Sequence, residues 1–232
     1  MDRKVFTLLL VFLFSLFCVN ATAQVEYVFS NIVADNAIFI EALDGWFASD
    51  DSKAGQTAIL LESVINGEDT ATHTLIIDYP DYESLELILN KIPASGDFAK
   101  YESRYNTVAT SNWTGLSLRV MDNGKSWKEG DYVWAAGVQV SRGENQTYTN
   151  AFKEMLDSKI GKQAPGLMRL LATRAGSNNS HVVIFSAPTF TALNEFVDSL
   201  TDSEEYVYFM SQVKAISVLV DPSISRVSRI WK

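Results

Sequence analysis

The sequence contains two histidines, and by type they are the residues best suited to proton transfer. His73 stands seven residues before Pro80, and His181 stands seven residues before Pro188, so the two occupy matching places in the chain. Imidazole titrates near neutral pH, which suits a general acid or base, a ligand contact or a metal ligand. The alternative is a histidine kept at a strand end in both copies of a duplicated segment and hydrogen-bonded there. The sequence favours this structural role over chemistry.

Three other residues are candidates for contact with a ligand. Trp46 and Trp134 lie on elements where aromatic side chains can line an apolar pocket, although such residues more often belong to the core. Arg169 lies in an otherwise apolar strand, and alternation along that strand is expected to point it to solvent rather than toward a buried anion. If the chain binds a ligand, the residues predicted to contact it are His73, His181, Trp46, Trp134 and Arg169. No catalytic residue is assigned.

Several kinds of site lack the residues that they require. The only cysteine is Cys18, near the N-terminus, and the sequence has neither a Gly-x-Ser-x-Gly elbow nor a glycine-rich phosphate loop. Metal-ligand spacings are also missing, and the acidic pairs Asp50–Asp51 and Glu68–Asp69 are typical of solvated turns. The sequence therefore predicts no metal and no cofactor.

The N-terminal segment of the chain has the pattern of a secretory signal peptide. Arg3 and Lys4 precede an almost unbroken apolar run, Val5–Val19, and the small residues of Ala21–Ala23 follow it. This run is shorter than the roughly 20 apolar residues of a membrane span, and Ala-x-Ala is a cleavage pattern. We predict a signal peptide over residues 1–23 and a secreted or periplasmic protein that begins at Gln24. The alternative is an uncleaved N-terminal anchor.

The charge of the chain argues against two classes of partner. The net charge is -9, and removal of Asp2, Arg3 and Lys4 with the leader makes it -10. Nucleic acids and anionic membrane surfaces attract basic patches, so neither is an expected partner. The later apolar stretches have only the length of strands, so no membrane association is expected after signal cleavage.

The elements that must position these residues occur twice in the chain. Residues 39–44 and 152–157 share the pattern Phe-x-Glu-x-Leu-Asp, and residues 116–120 resemble residues 216–220. The histidines and the helices that follow them match at one constant offset. A common order of weak matches is best explained by duplication. The predicted organisation is a first module over residues 24–121, a linker over 122–130 and a second module over 131–232.

Each copy is predicted to contain the element order β-α-β-β-α-β. Asp35 is expected to cap the first helix, which presents Ile38, Phe39 and Trp46 on one face, and Pro93 to Gly96 is expected to break the second helix. The predicted strands span residues 25–33, 57–65, 72–79, 113–121, 131–141, 167–174, 181–187 and 215–221. Residues 223–232 are predicted to form a tail that folds back over an apolar surface.

This order is the ferredoxin-like pattern, and its duplication resembles the dimeric α+β barrel superfamily. That superfamily includes antibiotic-biosynthesis-type monooxygenases, muconolactone-isomerase-like proteins and stress-responsive barrel proteins. The resemblance implies an α+β fold in which two antiparallel sheets pack face to face within one chain, as a monomer with pseudo-twofold symmetry. It also implies that haem is not bound, because haem-binding relatives use a helical histidine and neither His73 nor His181 lies on a predicted helix.

Two functions remain open at this stage. The leading prediction is an exported, non-catalytic protein that binds a small hydrophobic ligand or a protein partner, because export and the lack of catalytic motifs fit it most simply. The alternative is a cofactor-independent, monooxygenase-like or isomerase-like enzyme that acts on a small hydrophobic molecule. The enzymatic alternative depends on an analogy of fold rather than on a recognised site, so the sequence does not decide whether the protein is an enzyme.

Cleavage of the signal peptide is directly testable. We expect the protein recovered from the exported fraction to begin at Gln24, because the small residues at positions 21 and 23 fit signal peptidase. Intact mass and N-terminal sequencing would measure this. Recovery of the full-length chain in the membrane fraction would instead support the N-terminal anchor.

Overall fold

The computed structural model describes residues 24–232, so the predicted signal peptide lies outside the described residues. The first half of the chain contains four strands and three helices: β1 Val25–Val33, α1 Asn36–Ala48, β2 Thr57–Ile65, β3 His73–Tyr79, α2 Tyr82–Lys91, α3 Gly96–Val108 and β4 Ala109–Asp122. The second half repeats the order: β5 Tyr132–Val140, α4 Asn145–Asp157, α5 Lys159–Lys162, β6 Met168–Ala175, β7 His181–Ala187, α6 Phe190–Thr201, α7 Glu204–Val213 and β8 Ser217–Trp231. Within residues 24–232, none of these helices combines the length and the apolar character needed to span a bilayer.

The eight strands form one closed barrel in the order β1-β3-β2-β8-β5-β7-β6-β4, and every neighbouring pair is antiparallel. Strands β1 and β3 are central in the first half, and β5 and β7 are central in the second. The halves join where β2 pairs with β8 and where β4 pairs with β6. The predicted α+β fold, with two ferredoxin-like sheets closed within one chain, is therefore confirmed.

Side-chain alternation divides the buried residues among three compartments. One face of each strand points toward the helices of its own half, and the other face points into the barrel. The helices and sheet of each half enclose one hydrophobic cluster. A third cluster fills the barrel interior with residues from both halves: Ile59, Leu61, Ile76, Val133, Leu171, Ile184 and Val227.

Helix α1 shows how the sequence sets the helix-to-sheet packing. Asp35 accepts a hydrogen bond from the Ile38 backbone N–H at 3.1 Å, which confirms the predicted N-cap. Phe39 and Trp46 are buried as expected. Ile38 is exposed, so its predicted inward position is wrong, because it lies in the first turn at the edge of the apolar stripe.

The helical segment after β3 breaks where the sequence predicted, between α2 and α3. Pro93 lies in a short 3-10 turn, and Ser95 then accepts a hydrogen bond from the Phe98 backbone N–H at 3.0 Å. Ser95 is therefore the N-cap of α3, and Asp97 lies in the first turn of this helix.

The last strand differs from its prediction. Strand β8 spans 15 residues and includes the segment that was expected to be a separate tail. Pro222 lacks a ladder donor and so resembles a strand end in the sequence, but the preceding Asp221 adopts a φ of 49° and the register shifts there. The strand continues because β2 would otherwise have an unpaired edge. Trp231 also packs on α1, where its ring stacks on Phe47 at 4.9 Å.

Packing in the first helix-to-sheet layer can be tested with a matched pair of leucines. Leu60 in β2 is fully buried, whereas Leu87 on α2 is 48% exposed. We expect Leu60→Ala to lower the free energy of unfolding by about 2–5 kcal/mol, because it leaves a cavity. Leu87→Ala should change it by less than about 1 kcal/mol. Urea unfolding of both variants would measure this, and equal losses would contradict the assigned packing.

Candidate functional site

One row of side chains on β1 leads from the aromatic surface of the sheet to a polar group. Tyr27, Phe29 and Asn31 alternate along β1 and therefore share the face that points toward the helices. The register pairs Asn31 with His73 on the neighbouring strand β3. Because Tyr27 and Phe29 are only half-buried, the helices leave part of this aromatic surface accessible.

His73 is buried in the layer between the helices and the sheet of the first half. Its Nδ1 atom lies 2.9 Å from the hydroxyl oxygen of Thr72, and its ring lies 5.6 Å from that of Phe39. The Nε2 atom is buried and has no hydrogen-bond partner among residues 24–232. A buried polar atom without a partner is uncommon and calls for an explanation.

The contacts of Thr72 permit a tautomer of His73 that leaves the lone pair on Nε2. The Thr72 hydroxyl oxygen accepts a hydrogen bond from the Val33 backbone N–H at 2.9 Å and lies 3.4 Å from the carbonyl oxygen of Asn31. A hydroxyl has one proton to donate. When that proton is directed to the carbonyl, Nδ1–H of His73 donates to Thr72 and the lone pair resides on Nε2.

Two further groups complete a polar set around this imidazole. The Tyr105 hydroxyl on α3 donates to Oδ1 of Asn31 at 2.8 Å, and Nδ2 of Asn31 donates to the carbonyl oxygen of Phe29 at 3.0 Å. These two bonds fix the orientation of the amide and leave its second N–H unused by them. Burial raises the pKa of Tyr105, so its hydroxyl stays protonated and remains a donor.

The electrostatic environment keeps His73 neutral. Burial lowers the pKa of its imidazole below the ordinary value of 6.5, and the negative charge of Glu62 opposes this effect without reversing it. A neutral imidazole with a free lone pair is able to accept a proton. The arrangement therefore combines a base, an oriented amide and a protonated hydroxyl beside an aromatic surface.

The equivalent place in the second half lacks the polar partners. His181 has the same type of support, since its Nδ1 atom lies 3.0 Å from the Ser180 hydroxyl, and its ring lies 5.4 Å from that of Tyr148. However, its partner on the neighbouring strand is Val138, where the first half has Asn31. The constant offset that relates the two histidines assigns Val213, which is buried, to the position of Tyr105. Only the first half therefore contains the polar set.

The five residues predicted to bind a ligand lie in three separate compartments. Trp46 packs against Phe98 at 5.3 Å in the same layer as His73. Trp134 stacks on Phe185 at 5.2 Å in the second layer, where His181 also lies. Arg169 points into the barrel. The structure thus does not gather these residues into one site, and their role in ligand binding stays a prediction.

The expectation that Arg169 points to solvent is wrong. Arg169 is buried, and its Nη1 atom lies 2.6 Å from Oε1 of Glu26, which is also buried. Its guanidinium group also lies over the ring of Trp127, 5.8 Å from the centroid. Alternation along β6 was correctly expected, but the face opposite the helices is the interior of a closed barrel rather than the surface of an open sheet.

Sequence reasoning did not identify Asn31 and Tyr105 as site residues. The usable signal was Asn31, because asparagine is depleted in strands and this one falls on the face that the helices cover. Tyr105 offered no signal beyond its place in a helix, since its role depends on a contact across 74 positions of the chain.

A surface depression in the described residues lies away from this polar set. It has a volume of about 670 Å³ and is lined by residues of α5 and α7 and their flanks: Lys159, Ile160, Gln163, Ser203, Glu204, Glu205 and Tyr208. Its opening is wide, and its charged groups are mixed in sign. Within residues 24–232, no group of three or more His, Cys, Asp or Glu side chains is arranged to hold a metal ion.

The lowered pKa values of the two histidines predict a dependence of stability on pH. Burial lowers the pKa of both His73 and His181 below 6.5, so the unfolded chain binds protons more readily than the folded chain. The stability that this provides is fully present above about pH 6.5 and is lost as the pH falls through the folded-state pKa values. Urea unfolding of the wild type and of His73→Gln/His181→Gln would measure this. A wild type and a double variant with identical pH slopes would contradict it.

Comparison with known proteins identifies the fold. No protein-family model and no curated protein matches the sequence. Among solved structures, a candidate monooxygenase of Fusobacterium nucleatum has a TM-score of 0.66 at 11% identity, covering 91% of this chain and 95% of its own. One of Lactobacillus acidophilus has a TM-score of 0.63 at 10% identity, covering 90% and 95%. An anthrone oxidase-like protein has a TM-score of 0.56 at 12% identity, covering 90% and 92%.

The same comparisons correct the leading functional prediction. Most of the similar structures are described as candidate monooxygenases, an anthrone oxidase-like protein or chlorite dismutases, and these descriptions refer to enzymes or enzyme-like proteins. The prediction of a non-catalytic protein is therefore wrong as the leading interpretation, and the enzymatic alternative fits better.

Haem, which a similar protein of Thermus thermophilus is described as binding, does not fit the residues present here. Both histidines lie on strands, and the rings of Phe39 and Tyr148 pack against them. What the structure and the comparisons establish together is the fold, in which two ferredoxin-like modules close into one α+β barrel within a single chain.

Proposed function

We propose that this chain is a cofactor-independent enzyme, monooxygenase-like or isomerase-like, that removes a proton from a small hydrophobic molecule. The observation that carries the proposal is the buried Nε2 atom of His73, which has no partner among residues 24–232 and lies in an aromatic layer that also contains Asn31 and Tyr105. The similarity of fold to candidate monooxygenases supports it.

The proposal gives each polar residue one role. His73 accepts a proton from a carbon next to a carbonyl group, since burial keeps its imidazole neutral. Asn31 donates its second amide N–H to the oxygen that gains negative charge as the proton leaves. Tyr105 is a positioning residue, because its hydroxyl holds the Asn31 amide by its oxygen.

The lining of the layer suggests the class of substrate. Tyr27 and Phe29 form a half-buried aromatic surface beside the polar set, and their rings lie 4.4 Å apart. Such a surface favours a flat, mainly apolar molecule with a single polar group, which matches an aryl ketone. Entry would occur between α3 and β1, where these side chains are incompletely covered.

Removal of the proton leads to either of the two reactions. An isomerase returns the proton to a different carbon of the same molecule. A monooxygenase lets the resulting carbanion combine with molecular oxygen, which is the oxidant, to form a C–O bond and, after protonation, a hydroperoxide. Loss of water from the hydroperoxide breaks the O–O bond and leaves one oxygen atom in the product as a carbonyl group. Both reactions begin with the same step, so the residues named here serve either outcome.

The two histidines provide a matched pair for the decisive experiment. Anthrone and smaller aryl ketones would be incubated with the protein, with oxygen uptake and exchange of the acidic C–H for solvent deuterium as the two readouts. We expect His73→Ala to lower the rate by about 100-fold or more, which is typical for loss of a general base. His181→Ala removes an equally buried imidazole that lacks the polar partners, so it should retain the wild-type rate.

The outcomes separate catalysis from structural damage. Equal losses in the two variants would indicate a purely structural role for both histidines and would overturn the proposal. A wild type without uptake or exchange on any of these ketones would overturn it as well. Tyr105→Phe should lower kcat with a smaller effect on KM, because the Asn31 amide loses the bond that orients it.

A further inference from the structure

A second polar feature lies inside the barrel, on the opposite face of the strands that hold the candidate site. Glu26 on β1, Asp78 on β3, and Arg119 and Asp122 on β4 come from the first half, and Arg169 on β6 comes from the second. These five residues form the interior charge cluster.

Arg169 links the two halves of the barrel through this cluster. Its Nη1 atom lies 2.6 Å from Glu26, and its Nη2 atom lies 3.4 Å from Asp122. Arg119 pairs with Asp78 and lies 3.6 Å from Oε1 of Glu26. The cluster therefore spans the seam between β4 and β6, which is one of the two places where the halves join.

The duplicated half does not repeat these charges. Arg169 on β6 pairs with Ile184 on β7. The residue equivalent to Ile184 in the first half is Ile76 on β3, and its partner on β2 is Ile59. Ile59 therefore occupies the place that corresponds to Arg169. At the offset that relates the two histidines, Asp78 corresponds to Ser186. Since Ile59 and Ser186 occupy the places of Arg169 and Asp78 at the second seam, the cluster is a specific feature of one seam rather than a general consequence of the fold.

The charges of the cluster do not balance when all five groups are ionised. Three carboxylates and two guanidinium groups leave one excess negative charge in a largely buried space. A buried charge without compensation is costly, and such groups usually take up a proton instead. Oε2 of Glu26 and Oδ1 of Asp78 are both buried without a hydrogen-bond partner among residues 24–232, so each offers a place for that proton.

We propose that the interior charge cluster holds one proton, shared between Glu26 and Asp78, and that this proton fastens the seam between the two halves so that the barrel becomes less stable as the pH rises. The groups that face this proton are Arg119, Asp122 and Arg169, and Trp127 covers the cluster from the segment between β4 and β5.

The direction of the pH effect follows from burial. Burial raises the pKa of Glu26, against the lowering effect of Arg169, and it raises the pKa of Asp78, against the lowering effect of Arg119. The folded chain therefore binds this proton more tightly than the unfolded chain. The stability it provides is fully present below the unfolded-state pKa and is lost as the pH rises through the folded-state pKa.

Urea unfolding of the full chain between about pH 7 and about pH 9, above the range in which the histidines affect stability, tests the proposal. A single linked proton changes the folding equilibrium constant by at most about tenfold per pH unit. We expect the urea midpoint of the wild type to fall over this range and the midpoint of Glu26→Gln or Asp78→Asn to remain constant, because an amide imitates the protonated carboxyl. Glu102→Gln, an exposed change on α3, is the control and should keep the wild-type slope.

Infrared spectroscopy adds a readout that does not depend on the stability of the variants. Wild-type protein at neutral pH should show the carbonyl band of a protonated carboxylic acid, and Glu26→Gln or Asp78→Asn should lose it. A wild type without this band, or a wild-type midpoint that does not change with pH, would overturn the proposal. The proposal would also be overturned if the urea midpoints of both variants kept the pH dependence of the wild type. None of these outcomes depends on whether His73 is catalytic.

Discussion

Closure of the sheet is the constraint on which the rest of this structure depends. A four-stranded sheet with helices on one face leaves its other face and both edge strands without partners. Pairing of β2 with β8 and of β4 with β6 satisfies all of these at once. This need also explains the length of β8, since the strand must continue past Pro222 to pair with β2 and seat Trp231 against α1.

Closure also separates the polar residues by function. A strand in a closed barrel presents one face to the helices and the other to the interior, so neighbouring residues serve different compartments. On β1, Asn31 faces the helices and belongs to the candidate site, whereas Glu26 faces inward and belongs to the interior charge cluster. On β3, His73 and Asp78 divide in the same way. One pair of strands therefore carries both features without contact between them.

The sequence was sufficient for the fold because the fold depends on periodicity and repetition. Alternation predicted the strands, and Asp35 predicted the start of α1. The resemblance of the duplicated modules to the dimeric α+β barrel superfamily implied the intrachain barrel. The candidate site could not be predicted in the same way. Asn31 and Tyr105 meet through the register of β1 and the placement of α3, and single-sequence patterns specify neither. Arg169 was misplaced because alternation gives the face of a strand but not what covers that face.

Comparison of the two halves distinguishes function from inheritance. Each half has a buried histidine supported by a preceding hydroxyl, so this pair of residues is explained by the duplicated fold alone. The fold does not require Asn31 and Tyr105, because Val138 and Val213 satisfy the corresponding positions with apolar packing. Polar groups that are buried where an apolar residue would suffice lower stability unless they are fully bonded, and Nε2 of His73 has no partner among residues 24–232. Such a cost is expected where a site must bind or react, and for this reason the proposed chemistry is assigned to the first half.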